Sequence, residues 1–449
     1  MYKNERQLLK VITNKIPVKI NIILLIIIFY IIISLNKKKI HEMIKSKQEV
    51  KISHKLTKKK PTNNNINNIK ELIHKLNINR DFRKPKYILL FDYFVNEYCN
   101  DINSYIIFKY YLSKNISYAF YIINNQSHLY KTLLKENKTQ NLIPINPKKN
   151  IWNILYPYLL NSKILVHSYV FNNFNQIIDK VSYLKYIKIN HGVRFFKKKI
   201  GKYELKDINI NKYNSIVTSP LEYDLYKNTY NLTKENLYKA GLPRYDRFIN
   251  IKLNKSENKC ILIAFTYRKY NNNLYVNSLF KKNLERLFSD ESLILFLKTK
   301  KIDLVYIPHH FDTYRKRPFN KTKFSYIKYK DQNFLSYYIE QCSLCVTDFS
   351  SISFDFMFQN KPTLFYLIDY NDSHNFHEKI YMNYDLNKDV YFGNVFYDQE
   401  SLIKKIKYFI NRKFKIDEKL KKHYESLFYF KKNITERIIN IIDYIIRKK

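Results

Sequence analysis

The chain has 449 residues, 45 % of them hydrophobic, and a formal net charge of +42. That length exceeds one compact core and calls for about two or three units, and the hydrophobic fraction excludes an intrinsically disordered chain. The charge calls for an anionic partner, whether nucleic acid, an acidic membrane surface or phosphorylated substrates. Most of the basic residues are lysines, however, and asparagine, isoleucine and tyrosine are abundant too. Such a bias also arises at ordinary solvated positions, so charge alone decides nothing about function.

The first feature along the chain is a nearly unbroken apolar run from Ile20 to Leu35. Sixteen helical residues reach about 24 Å, short of the ~30 Å hydrocarbon core of a bilayer, so the run spans a thinned membrane or dips into one face as an anchor. It has no polar face, which argues against a buried core helix, and no small-residue cleavage site follows it to mark a signal peptide. Lysines crowd its C-terminal side (Lys37, Lys38, Lys39, Lys45, Lys47) more than its N-terminal flank (Lys3, Arg6, Lys10, Lys15). By the positive-inside rule the remainder is expected at the cell membrane on its cytoplasmic side, against an anionic membrane surface. Residues 1–35 are read as flank and membrane-anchor helix, and residues 36–80, polar and asparagine-rich, as a basic linker.

From about residue 81 short apolar runs alternate with amphipathic stretches. Strands are expected at Tyr87–Phe94, Tyr118–Ile123, Ile164–Phe171, Tyr186–Asn190 and Ser215–Thr218, then at Cys260–Thr266, Asp303–Pro308, Phe324–Tyr329, Leu344–Thr347 and Thr363–Ile368. Helix-length segments such as Gln332–Gln341 and Ser401–Asn411 lie between many of them. Strands alternating with helices predict an α/β fold with parallel sheets. A polar break near 250–258 divides the series into two Rossmann-like domains, 81–250 and 251–449, facing a cleft.

Glycine is nearly absent. Average usage of about 7 % would give roughly thirty, and the chain has 4: Gly192, Gly201, Gly241 and Gly393. Survivors in such a composition are expected where a positive φ or a close backbone approach leaves no substitute. Of the cysteines Cys99, Cys260, Cys342 and Cys345, only the last two have ligand spacing, and no second pair or histidine cluster completes a metal site. They are read as buried core thiols, with no disulfide framework.

Four motifs carry candidate chemistry. His191-Gly192-Val193-Arg194 follows a strand and precedes Lys197, Lys198 and Lys199; a histidine at a strand end can serve as general base near neutral pH, although an isolated pair of this kind also reads as an ordinary turn. Gly241-Leu242-Pro243-Arg244-Tyr245-Asp246 is a tight turn closing the first half. Pro308-His309-His310 ends a strand of the second half; no acidic ligand accompanies the histidines, which argues against metal. Thr347-Asp348-Phe349-Ser350-Ser351 ends another strand, and Ser350 or Ser351 can N-cap the helix that follows and offer hydroxyls to a phosphate.

In this order, with the strand ending Phe265-Thr266-Tyr267-Arg268 and the block running through Asp355, Lys361, Pro362 and Tyr366, the motifs resemble the CDP-glycerol glycerophosphotransferase family, the enzymes that prime and polymerise teichoic acids. The similarity spans about residues 85 to 412. Val193 and Arg194 stand where the family usually has threonine and proline, and Gly393-Asn394 where it has Gly-Pro.

The resemblance implies a GT-B-like fold and no cofactor or metal. His191 and His309 would be the catalytic residues, His191 as general base and His309 on the donor pyrophosphate, while Gly192, Arg268, Asp348, Ser350 and Ser351 would bind substrate. Asp246, Asp355 and His310 read as structural or minor. The implied partners are CDP-glycerol or a related CDP-polyol and a membrane-linked glycan or polymer acceptor. Two rival classes are a GT-B glycosyltransferase using a nucleotide-sugar and a non-enzymatic nucleic-acid-binding protein. No nucleic acid is expected, since the lysines are spread except in the region after the apolar run and no DNA- or RNA-binding signature is present.

Overall fold

Two all-parallel sheets organise the chain in the computed structural model, and both repeat one winding pattern. The structure describes residues 85–92, 103–146, 151–168, 183–194, 213–230, 232–250, 259–268, 278–309, 324–331, 334–370 and 394–448, with Glu71, His74, Val181 and Phe392 besides. The apolar run 20–35, the linker 36–80 (except Glu71 and His74, which lie near the linker's end), Cys99, Lys197 to Lys199, Gly201, His310 and Gly393 lie outside the described residues. No helix among the described residues is long and apolar enough to cross a membrane.

The first sheet contains β1 (Tyr87–Phe91), β2 (Ala119–Asn124), β3 (Leu142–Ile145), β4 (Ser162–His167), β5 (Lys185–Ile189), β6 (Asn214–Val217) and β7 (Leu237–Lys239), in the order β3-β2-β1-β4-β5-β6-β7. The second contains β8 (Cys260–Ile263), β9 (Asp303–Tyr306), β10 (Ile327–Tyr329), β11 (Leu344–Thr347), β12 (Thr363–Tyr366) and β13 (Val395–Phe396), in the order β10-β9-β8-β11-β12-β13. Each is the doubly wound 3-2-1-4-5-6 arrangement, whose ligands bind beyond the carboxyl ends of the strands near the point where strand order reverses. That point lies between β1 and β4 in one sheet and between β8 and β11 in the other. All ten expected strands are present. The three unforeseen ones are edge or near-edge pieces: β3 carries Pro144, which only an edge strand tolerates, and β7 and β13 are too short to show a period.

The strands are hydrophobic on both faces because helices cover both. Ile88 and Leu90 of β1 join a core shared with helix α1 (Asn103–Ser113), whereas Leu89 and Phe91 pack with Trp152, Leu155 and Leu159 on the opposite side. The first of these cores continues through Leu242 and Tyr245 into the second sheet.

The remaining helices that matter to the site are α2 (Pro220–Tyr230), α3 (Tyr245–Asn250), α4 (Leu335–Gln341), α5 (Ile352–Phe358) and α6 (Ile434–Arg447). The last follows the second sheet in sequence yet packs on the first. Lys185 of β5 donates to the carbonyl of Ile445 at 2.7 Å. At the other end of α6, Asn433 sits in the left-handed region (φ 57°) and its side chain makes no cap. Asp246 caps the helix instead, accepting from the amides of Ile434 (2.9 Å) and Thr435 (2.7 Å). Gly241 belongs to the same joint: a Cβ there would lie 3.0 Å from the Ile434 side chain.

The cysteine expectation requires correction. β8 and β11 are adjacent, Ser343 donates its amide to the Cys260 carbonyl at 2.8 Å, and the structure joins Cys260 to Cys342 in a disulfide with a Cα–Cα separation of 4.5 Å. The partners lie 82 residues apart, so Cys342 is half of a disulfide where a core thiol and no disulfide framework were expected. Cys345 is a free, buried thiol as expected.

Asp246→Ala leaves two amides at the start of α6 without their acceptor and is expected to cost about 1–2 kcal/mol, with Asp246→Asn losing less. Urea unfolding at equilibrium measures both, and an unchanged midpoint for the alanine variant would refute the capping role.

Candidate active site

The turn that follows β5 is held from below by a buried carboxylate. Glu222, in the first turn of α2, accepts through one oxygen from the Asn190 side chain (2.7 Å) and the Arg194 amide (3.0 Å), and through the other from the Thr218 amide (2.7 Å). Burial pushes its carboxyl up to about 7, against the opposing pull of those hydrogen bonds. The Asn103 side chain donates to the Asn190 carbonyl at 2.7 Å. Both residues flanking the turn are therefore fixed, and the residue between them is presented outward: His191 is exposed, while Asn190, Gly192 and Val193 are buried.

At the matching edge of the second sheet, two expected substrate ligands turn out to be internal braces. Arg268 is 1 % exposed and Asp348 is fully buried. The Arg268 guanidinium donates to Asp369 through Nε and Nη2 at 2.7 and 2.8 Å and pairs with Asp348 through Nη1 at 2.6 Å. Burial opposes its charge, but the two carboxylates outweigh that and hold it protonated. The second Asp348 oxygen accepts from the amide and hydroxyl of Thr266, both at 2.8 Å. The ends of β8, β11 and β12 are tied together by this cluster. Lys361 is likewise internal: it donates to the Ile339 carbonyl at 3.0 Å at the C-terminal end of α4, and burial pushes its amine down to about 8.

Among the described residues at this edge, Thr266, Tyr267, His309, Ser350 and Ser351 are polar and half-exposed. His309, just beyond β9, lies with its ring 5.6 Å from that of Tyr267. Ser351 occupies the N-cap position of α5, but its side chain does not cap the helix. It meets Gly192 of the other half instead, where a Cβ would lie 2.9 Å from the Ser351 Cβ and closer still to its hydroxyl. Gly192 is thus required by close approach, as its survival in a glycine-poor chain suggested.

Arg244 joins the same contact and was not singled out from sequence. Its Nε and Nη2 donate to one oxygen of Asp355 in α5 at 3.0 and 2.7 Å, and Nη1 donates to the His191 carbonyl at 2.6 Å. Arg244 is 8 % and Asp355 3 % exposed. Of the expected site residues, Gly192 and Ser351 therefore meet directly, His191 and Asp355 are joined through Arg244, Arg268 and Asp348 stand behind the second sheet's edge, and Asp246 serves α6.

Glu222 also makes a pH prediction. Its folded-state pKa is raised, so folding takes up a proton between about pH 4.5 and 7, and the stability that this carboxyl contributes is complete below that window and lost as the pH rises through it. Asp92, pushed up to about 6 by burial, acts in the same direction. Glu222→Gln is expected to flatten part of the decline in unfolding free energy across the window; chemical denaturation at a series of pH values measures this, and an unchanged slope overturns it.

The family model described as CDP-glycerol:poly(glycerophosphate) glycerophosphotransferase matches residues 74–444. The chain is 28 % identical over 375 residues to the minor teichoic acid biosynthesis protein GgaB of Bacillus subtilis (strain 168), covering 76 % of this chain and 38 % of that protein. It is 26 % identical over 282 residues to the teichoic acid glycerol-phosphate primase of the same organism, covering 55 % of this chain and 66 % of the primase. The chain thus spans well under half the length of the first relative and about two thirds of the second. Among solved structures, that of the wall teichoic acid polymerase TagF shares the fold, with a TM-score of 0.60 at 16 % identity over 84 % of this chain and 94 % of that one. A family match that runs through β1 to β13 and every motif described above has one consequence: this chain belongs to the CDP-glycerol:poly(glycerophosphate) glycerophosphotransferase family.

Proposed function

We propose that the chain transfers a polyol phosphate, glycerol phosphate in the first instance, from a CDP-polyol to a hydroxyl of a membrane-associated glycan or polymer, releasing CMP. The observation that carries this reading is the presentation of His191, exposed between buried neighbours on a turn pressed against Ser351 of the other half. Relatives named for teichoic acid priming and wall teichoic acid polymerisation support the substrate class.

In this reading His191 takes the proton of the acceptor hydroxyl as its oxygen attacks the β-phosphorus of the donor. The bond from that phosphorus to the bridging oxygen breaks, and CMP leaves with the electron pair. Such transfers depend chiefly on positioning and on electrostatic stabilisation of the phosphoryl oxygens. Ser350, Ser351 and His309 supply donors for the pyrophosphate, and Arg268 with Asp348 keeps the strand ends that carry them in place. The step balances without a cofactor.

The net charge of +42 suits a donor, an acceptor and a membrane surface that are all anionic. The apolar run 20–35 with its lysine-rich flank supports a place at the cytoplasmic side of the cell membrane.

Release of CMP from CDP-glycerol or CDP-ribitol, and of UDP or GDP from UDP- or GDP-sugars, by the full-length chain with membrane extract as acceptor tests the reading. Turnover of a CDP-polyol is expected, falling by about 10²–10⁴ in His191→Ala. Turnover of a sugar nucleotide alone would instead indicate a glycosyltransferase on the same fold, and a near-normal rate in the variant would remove His191 from the mechanism.

A further inference from the structure

We propose that Arg244, acting with Asp355, is a positioning residue that sets the place of His191 relative to the donor half. The inference rests on the reading of His191 as the base. Arg244 lies at the end of the first half, in the turn leading into α3, and Asp355 lies 111 residues further on in the first turn of α5. One guanidinium therefore grips a carboxylate of the helix that follows Ser351 and, with a different nitrogen, the backbone carbonyl of His191.

The planarity of the guanidinium makes this a rigid link. Nε, Nη1 and Nη2 keep fixed directions relative to one another, so Asp355 and the His191 carbonyl cannot move independently while all three bonds persist. The neighbouring Asn190 carbonyl is fixed by Asn103, which also lies 3.5 Å from the Arg244 amide through its side-chain oxygen. Gly192 leaves no space for adjustment, since Ser351 fills the volume a side chain would need. Both charges are largely withdrawn from solvent, so water weakens the link little.

Arg244→Lys tests this while retaining a positive charge opposite Asp355. An ammonium lacks the planar fork and cannot reproduce the two bonds to Asp355 and the one to the His191 carbonyl together. In the full-length protein, kcat for CMP release from CDP-glycerol is expected to fall by about 10²-fold with KM for the donor little changed, and Asp355→Asn is expected to act in the same direction. Amide hydrogen exchange of the peptide covering residues 190–194 should quicken in both variants. Wild-type kcat, a fall in kcat explained wholly by loss of folded protein, or unchanged exchange over 190–194 would each overturn the proposal. Should the wild-type chain release no CMP from any CDP-polyol, the functional reading fails, and the exchange measurement alone decides whether Arg244 holds the turn.

Discussion

A guanidinium withdrawn from water must be met by partners at every side it turns to the protein, because an unpaired buried charge is far more costly than an exposed one. Arg244 satisfies that demand with a carboxylate from α5 and the carbonyl of His191. Its requirement for partners is what brings a turn of the first sheet and a helix of the second into one geometry. Arg268 does the same within the second sheet, where Asp348 and Asp369 close around it. The two arginines divide the labour: one links the halves, the other stiffens the carboxyl edge of the second sheet.

The near-absence of glycine shows which backbone positions have no alternative. Gly192 and Gly241 both lie where a side chain from elsewhere occupies the space of a Cβ, Ser351 in one case and Ile434 in the other. Positive φ, by contrast, is delegated. Five of the nine non-glycine residues with positive φ among those described are asparagines, including Asn115, Asn137 and Asn360 just past helix ends. Asparagine tolerates the left-handed region that ends a helix. No non-glycine residue can shed its Cβ, so the two close approaches kept glycine.

The same turn that supplies Arg244 also fastens the end of the chain. Gly241 and Asp246 receive the start of α6, and α6 returns to lie on the first sheet with Lys185 at its far end. The segment Gly241 to Asp246 therefore faces three ways at once: to the His191 turn, to α5 and to the final helix. A motif that reads as a tight turn serves as the junction of the whole fold.

Ten strands, the division into two parallel-sheet halves and the placement of motifs at strand ends were legible in the sequence by itself, because apolar period and turn residues act over a few neighbouring positions. The family followed from motif order for the same reason. Only the tertiary structure decided what depends on distant partners. Cys260 pairs with Cys342 rather than remaining a core thiol because β8 and β11 are neighbours. Arg268 and Asp348 sit beside plausible phosphate ligands in sequence, yet Asp369 and Thr266 enclose them. Arg244 was legible only as a member of the 241–246 turn, since its role lies in a carboxylate 111 residues away. Local pattern specifies which elements form and roughly where chemistry gathers; burial and pairing are properties of the assembled sheets, and they determine which of those residues face a substrate and which hold the others still.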